Sequence, residues 1–330
     1  MTLLNQAEWD RFLDTQPNAH LLQTSAWGEL KSRFGWDVAR IVQGNCGVQV
    51  LFRRLPLGMT IAYTPFGPIG TDWRILIPEL DALCRSKRAV FLKVEPDDWE
   101  PISSTTESNL SGFVPSSGIQ PRRTIMVTLS GDEDDWLARM RQKCRYNIRL
   151  AQRSEIQIHE SSDIPAFYQL IMETGNRDGF GVHTQAYYQQ AYDLFSKNDQ
   201  AALLIASYHE QLLAGLMVFA SGNRAWYLYG ASSDKERQRM PAYLLQWEAM
   251  RWAARHGCCS YDLWGIPDED EAKLEAEFSG RSDGLWGVYR FKRGFGGEVK
   301  RTVGGFDRIY QPFLYKLYRI WSARRGGEAA

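Results

Sequence analysis

The sequence lacks the marks of several large protein classes. Its opening, Met1-Thr-Leu-Leu-Asn-Gln-Ala-Glu-Trp-Asp10, has no basic leader and no long apolar core, so it does not read as a signal peptide. No run approaches the ~20 apolar residues of a membrane helix. Cysteine is scarce: five residues, at 46, 84, 144, 258 and 259, with no CxxC pair and no zinc spacing. That pattern fits reduced thiols in a cytoplasmic protein. Five scattered histidines, at 20, 159, 183, 209 and 256, form no metal cluster, so no metal is expected. Net charge is also absent, with 39 basic and 39 acidic residues among 330.

What is present is unevenly placed. Six basic residues and no acidic one lie between Arg139 and Arg153. Ten basic and three acidic residues lie between Gly287 and Ala330, whereas Asp262–Asp283 holds eight acidic and two basic. Two basic patches on a neutral chain point to a polyanion or an anionic membrane surface; solvated helix faces are the plainer alternative. Twelve Trp and fifteen Tyr are many, and exposed aromatics often serve ligands or interfaces.

The order of elements repeats. Asn5-x-x-Glu8 is a capping box opening an amphipathic helix, and Thr24 or Ser25 caps a second one through Arg33. Strands are expected at 37–42, 48–54 and 59–63, then a helix near 73–86 and a strand at 89–94. The second half gives strands at 201–208, 212–220 and 225–229, a helix from Pro241 to His256, and a strand at 260–264. Gly47 pairs with Gly215, Tyr63 with Tyr229 and Pro96 with Pro267, a nearly constant offset that marks a duplicated α/β domain. Strand–strand–strand–helix–strand fits an acetyltransferase-type (GNAT) mixed sheet, in which two strands splay to receive an acyl donor. The expected division is 1–150 plus 306–330 for the first domain and 151–305 for the second. A last helix, 312–323, packs back on the first. Residues 99–122 read as an exposed loop.

The segment Gly284–Arg301 carries the sharpest chemical signal. Phe291-Lys292 stands where a strand-like apolar run meets glycines at 294, 296 and 297. Those glycines allow unusual backbone angles and close approach of a ligand. A lysine held there beside an exposed ring suits a site where a base stacks and negative charge develops. A β-hairpin with a solvated lysine is the alternative.

Six ordered stretches then resemble the Fem family of peptidoglycan-branching aminoacyltransferases. They are Leu21-Leu-Gln-Thr-Ser-Ala-Trp-Gly-Glu-Leu-Lys31, Met140-Arg-Gln-Lys-Cys-Arg-Tyr-Asn-Ile-Arg-Leu-Ala151, Tyr229-Gly-Ala-Ser-Ser233, Met240-Pro-Ala-Tyr-Leu-Leu-Gln-Trp-Glu248, Tyr261-Asp-Leu-Trp-Gly265 and Tyr289-Arg-Phe-Lys-Arg-Gly-Phe-Gly-Gly297. The resemblance implies two acetyltransferase-like domains and transfer of an amino acid from aminoacyl-tRNA to the stem peptide of a nucleotide-linked (UDP-MurNAc-peptide) or lipid II-type precursor. It implies the compact form, without the coiled-coil arm. By the same resemblance Lys31 and Arg177 bind the precursor's diphosphate, Tyr229 contacts the precursor, and Phe291 contacts the tRNA acceptor end. Lys292 stabilises the tetrahedral intermediate.

An aminoacyl ester is already activated, so no cofactor is expected. A lysine ammonium where the carbonyl becomes an oxyanion favours the transition state. Glu95 and Asp97, at the end of a central strand, are candidate proton acceptors, with Asp262 a third; simple strand-end solvation competes. A monomer in the cytoplasm, with a basic surface suited to the inner face of the membrane, is the expectation. Two other classes stay open: an acyl-coenzyme A-dependent N-acyltransferase of the same fold, and a non-catalytic binding protein.

Overall fold

The computed structural model describes residues 3–324; Met1, Thr2 and the C-terminal Arg325–Ala330, part of the basic stretch, lie outside the described residues. Contacts divide the chain into Met1–Arg122 with Arg301–Ala330, and Arg123–Lys300. The division expected near 150 and 305 is displaced for a packing reason. The basic helix Gln142–Arg153 buries Cys144, Ile148 and Ala151 in the second unit's core.

The strands of the first unit are β1 (Trp36–Gln43), β2 (Cys46–Arg54), β3 (Thr60–Pro65), β4 (Ala89–Glu95) and β5 (Val114–Ser116). The second unit carries β6 (Arg123–Thr128), β7 (Gln157–Ser161), β8 (Ala201–Tyr208), β9 (Gln211–Ser221), β10 (Arg224–Ser232), β11 (Ser260–Asp262) and β12 (Glu298–Arg301). The last strand, β13 (Gly305–Ile309), returns to the first sheet. The sheets run β1-β2-β3-β4-β13-β5 and β12-β6-β11-β10-β9-β8-β7. In each, two antiparallel pairings lead to one parallel pairing, β3 with β4 and β10 with β11. An antiparallel strand follows on the far side, β13 or β6. This is the repeat read from the sequence, and it is a mixed α/β architecture with two mixed sheets.

Local chemistry explains the helices that frame the sheets. Asn5 and Glu8 form the reciprocal capping box of Gln6–Leu13, and Thr24 caps Ser25–Arg33. The helix Pro241–Arg255 starts on a proline, whose fixed φ suits a first turn. The C-terminal helix Pro312–Arg324 lies on β4, with the Tyr315 and Phe91 rings 5.2 Å apart, edge to face.

Two expectations fail. Residues 99–122 are not a plain loop: Ser103 caps a short helix, Ser104–Asn109, and β5 pairs with β13. Both pieces are too short for a periodicity to register. The run before the glycines is not a strand either. It is the helix Trp286–Lys292, and its buried residues Trp286, Tyr289 and Lys292 recur every third position.

Candidate active site

The two sheets differ where their parallel pairs end. β3 and β4 stay paired to Pro65 and Glu95, so the first sheet remains zipped. β10 and β11 pair only from Arg224–Trp226 to Ser260–Asp262, and β10 then runs on alone on that side to Ser232. The second sheet therefore opens where the first stays closed.

Lys292 points at this opening. It is 5 % exposed, and its Nζ donates to the carbonyls of Trp264 (3.1 Å) and Gly265 (2.9 Å), just beyond β11. The same Nζ stands 5.4 Å from the centre of the Tyr227 ring on β10. Burial pushes the Lys292 ammonium down to about 7, against the pull of Asp262. The lysine is thus not the solvated residue of a hairpin.

Asp262 braces the turn whose carbonyls hold Lys292. Its buried carboxylate accepts from the Trp264 amide (2.7 Å) and from the Thr124 hydroxyl. That contact supports Trp264 in a left-handed turn at φ 60°, where a bulky residue needs outside support. Burial raises the Asp262 carboxyl above its usual range.

A bulge sorts the tyrosines of β10. Tyr227 opposes Val218 but Tyr229 opposes Met217, so one residue between them goes unpaired and the two rings face opposite sides of the sheet. Tyr227 joins the core beneath Pro241–Arg255. Tyr229 instead meets Tyr188 (5.2 Å), Phe219 (5.8 Å) and the Tyr187 hydroxyl (3.5 Å). Burial pushes its phenol well above the usual value.

Arg177 ends the helix Ile164–Asp178, capped by Gly179 in the left-handed region. Its guanidinium is engaged by Asp178 (2.8 Å), Asp234 (3.1 Å) and the Ser232 carbonyl (2.8 Å). An anion there would compete with two carboxylates. In the other unit, Lys31 is half-buried at the end of its helix, with Nζ 4.7 Å over the Trp27 ring.

Phe291 is half-buried, edge-on to Tyr243 (4.9 Å) and Phe295 (5.2 Å). Beside this cluster is a cleft of about 310 Å³ lined by Arg141, Lys143, Tyr243, Phe278, Arg290 and Arg293, among others. The two basic stretches, far apart in sequence, meet here. Glu275 pairs with Arg293 and with Arg141 (3.1 Å), and these cations hold its carboxyl down to about 2, Arg293 foremost. Tyr227 and this convergence were missed in the sequence, because a bulge and a tertiary contact leave no local pattern.

Glu95 sits at the end of β4 as expected, but its oxygens are occupied. It accepts from the Tyr63 hydroxyl and from the amides of Ile119 and Gln120 (3.1 Å for the latter). Burial pushes its carboxyl up. Glu95 anchors the backbone at Ile119 and Gln120. Asp97 lies half-buried in the following loop. Glu95→Ala should cost about 3 kcal/mol in urea denaturation, since three donors lose one buried acceptor. Glu95→Gln, which still offers an oxygen, should keep most activity with an unshifted pH profile; a proton acceptor would lose both.

A twice-used mixed sheet whose second copy opens around a buried lysine defines the class: a tandem acetyltransferase-like protein. The FemAB family model matches residues 4–113, 109–211 and 199–322, and the chain belongs to that family. A lipid II:glycine glycyltransferase of Staphylococcus aureus is 24% identical over 407 residues, covering 96% of this chain and 94% of the relative. That alignment is longer than the chain itself, so the relative carries residues with no counterpart here. Among the described residues the longest helices have 15 residues. A solved structure of FemX matches with a TM-score of 0.85 at 23% identity, over 96% of this chain and 99% of that one. A tandem GNAT protein from the clavulanic acid biosynthesis pathway matches with 0.53 at 10% identity, over 93% and 97%.

Proposed function

We propose that the chain moves an amino acid from aminoacyl-tRNA to the stem-peptide amine of a peptidoglycan precursor, with Lys292 at the reacting carbonyl. The observation that carries this reading is the buried Lys292 Nζ in the opening between β10 and β11. Family membership and the similarity to a glycyltransferase support it.

The chemistry follows from the donor ester. The acceptor amine attacks the carbonyl carbon and a C–N bond forms. The carbonyl oxygen gains the charge that the Lys292 ammonium faces. The ester C–O bond then breaks, the ribose hydroxyl leaves with a proton, and the nitrogen gives up its own. Positioning supplies much of the acceleration, because the ester needs no further activation. Lys31, Arg177 and Tyr229 are assigned to the precursor and Phe291 to the RNA end, as the resemblance implies. The UDP-linked and lipid-linked forms of the precursor are the candidate acceptors. The setting is the cytoplasm and the inner membrane face, and the working unit is a monomer without a cofactor.

The cleft beside Phe291 suits RNA phosphates, since Arg141, Lys143, Arg290 and Arg293 line it with Tyr243 and Phe278. Glu275 offsets one of the four cations, so about three phosphates are neutralised, a slope of log affinity against log salt of roughly −2 to −3. Lys143→Ala with Arg290→Ala should flatten that slope by more than half, read by filter binding of tRNA.

The decisive test incubates the chain with a pool of charged tRNAs and each precursor form, read by product mass. A gain of one aminoacyl residue is expected. Transfer from acyl-coenzyme A alone, or from no donor, would overturn the reading.

A further inference from the structure

Among the described residues no helix is long and apolar enough to cross a membrane. One helix nevertheless turns apolar side chains outward. On Pro312–Arg324, Leu314, Tyr315 and Tyr318 pack on the sheet, while Phe313 (73 % exposed), Leu317 and Ile320 face solvent with Trp321 at their margin. Positions 313, 317 and 320 form one stripe at helical spacing.

The β2–β3 turn adds to this face. Leu57 at its tip is 83 % exposed and adopts a left-handed φ of 62°, a conformation leucine rarely takes. The turn adjoins the helix, for Leu55 and Met59 share a cluster with Leu314 and Tyr318. Gln311, just before the helix, donates to the Arg88 carbonyl (3.4 Å).

Charge identifies the occupant. Lys316 and Arg319 are exposed on the helix, and Lys87 and Arg88 are exposed in the turn before β4 that Gln311 contacts. Acids on the same unit are paired: Asp307 with Lys93 (2.8 Å), Asp81 with Arg308 (2.7 Å), and the partly exposed Asp37 on β1 with Arg54 at the end of β2 (3.2 Å). From Pro312 to Arg325 the sequence holds four cations and no acid. A short amphipathic helix with aromatic and aliphatic residues on one side and cations beside them matches the interface of an anionic bilayer. Nucleic acid would use the cations and leave Leu57, Leu317 and Ile320 without a role.

We propose that this face, the C-terminal helix with the β2–β3 turn, docks on an anionic phospholipid surface. The assignment goes beyond the transfer reading and stands without it, because vesicle binding needs no substrate.

The test is co-sedimentation of the full chain with phosphatidylcholine vesicles, with and without phosphatidylglycerol. Binding should need the anionic lipid. Phe313→Ser with Leu317→Ser should weaken it about tenfold or more, the scale of two partly buried side chains. Lys316→Glu with Arg319→Glu should abolish the preference for phosphatidylglycerol, as each cation contributes about fivefold. All four positions are exposed, so unchanged melting and unchanged transfer to a soluble acceptor are expected of both variants. Native protein left in the supernatant, or variants that pellet like it, would overturn the proposal. So would a dimer seen by sedimentation velocity that Phe313→Ser dissolves without vesicles binding, or loss of vesicle binding to added tRNA.

Discussion

Replacing Lys292 with alanine should lower the transfer rate by about 10²–10³ at mildly acid pH, the usual cost of losing one oxyanion donor. The pH profile carries more information than the single rate. Burial brings Lys292 to about 7 from an ordinary 10.5. Below that value the ammonium is present; above it the charge is lost. The attacking amine has the opposite need, because only its neutral form reacts. With both required, kcat/KM for the native chain climbs with pH and levels off near 7. The alanine variant has no ammonium to lose, so its rate keeps climbing, and the gap narrows about tenfold per pH unit above 7. A lysine acting as a neutral base gives the reverse, a gap that narrows as pH falls. Stability separates a damaged site from a damaged fold. The unfolded chain binds this proton up to pH 10.5 and the folded chain only up to about 7. Native stability therefore rises with pH across that window. Lys292→Met is free of this dependence, so as pH falls towards 7 the comparison must move in its favour. A methionine variant that loses activity while gaining relative stability as pH falls from about 10.5 to 7 identifies a charge kept for function.

Much of the architecture was legible because the repeat is written in local patterns. Capping at Asn5 and Thr24, the proline before Ala242 and the alternating strands each report on a few neighbouring residues. The run ending at Lys292 was misread because Val288, Tyr289 and Phe291 carry β-favouring side chains; burial every third residue overrode that preference. The candidate site was legible as residues but not as geometry. Lys292 stood out beside its glycines, yet its two carbonyl partners lie 27 and 28 positions away. Glu95 stood out at the end of a strand, but the amides that occupy it arrive from a segment without periodicity. The bulge that parts Tyr227 from Tyr229 depends on the neighbouring strand, and nothing in β10 alone encodes it.

The glycines after Lys292 yield the largest stability effect, and for a reason different from ligand access. Gly296 has φ 78°, and a Cβ there would lie closer than 3.0 Å to the Arg139 carbonyl oxygen. Gly297 meets the Met126 backbone in the same way, and the Gly294 carbonyl accepts the Arg141 amide at 3.0 Å. The glycines bring this segment against the chain's own backbone and seat the helix of Lys292 on the basic helix. Gly296→Ala therefore carries two penalties. Left-handed backbone costs alanine about 1 kcal/mol. The collision is with backbone, which cannot rotate away, and should bring the total to about 3 kcal/mol or more. Gly179→Ala is the control that divides the two. Gly179 has φ 73° with nothing within 4 Å of the added carbon, so it should show the backbone cost alone. Urea denaturation of both variants checks the partition. Equal losses would mean that the contact with Arg139 relaxes freely, and that the Phe291–Gly297 segment is less firmly seated than its hydrogen bonds indicate.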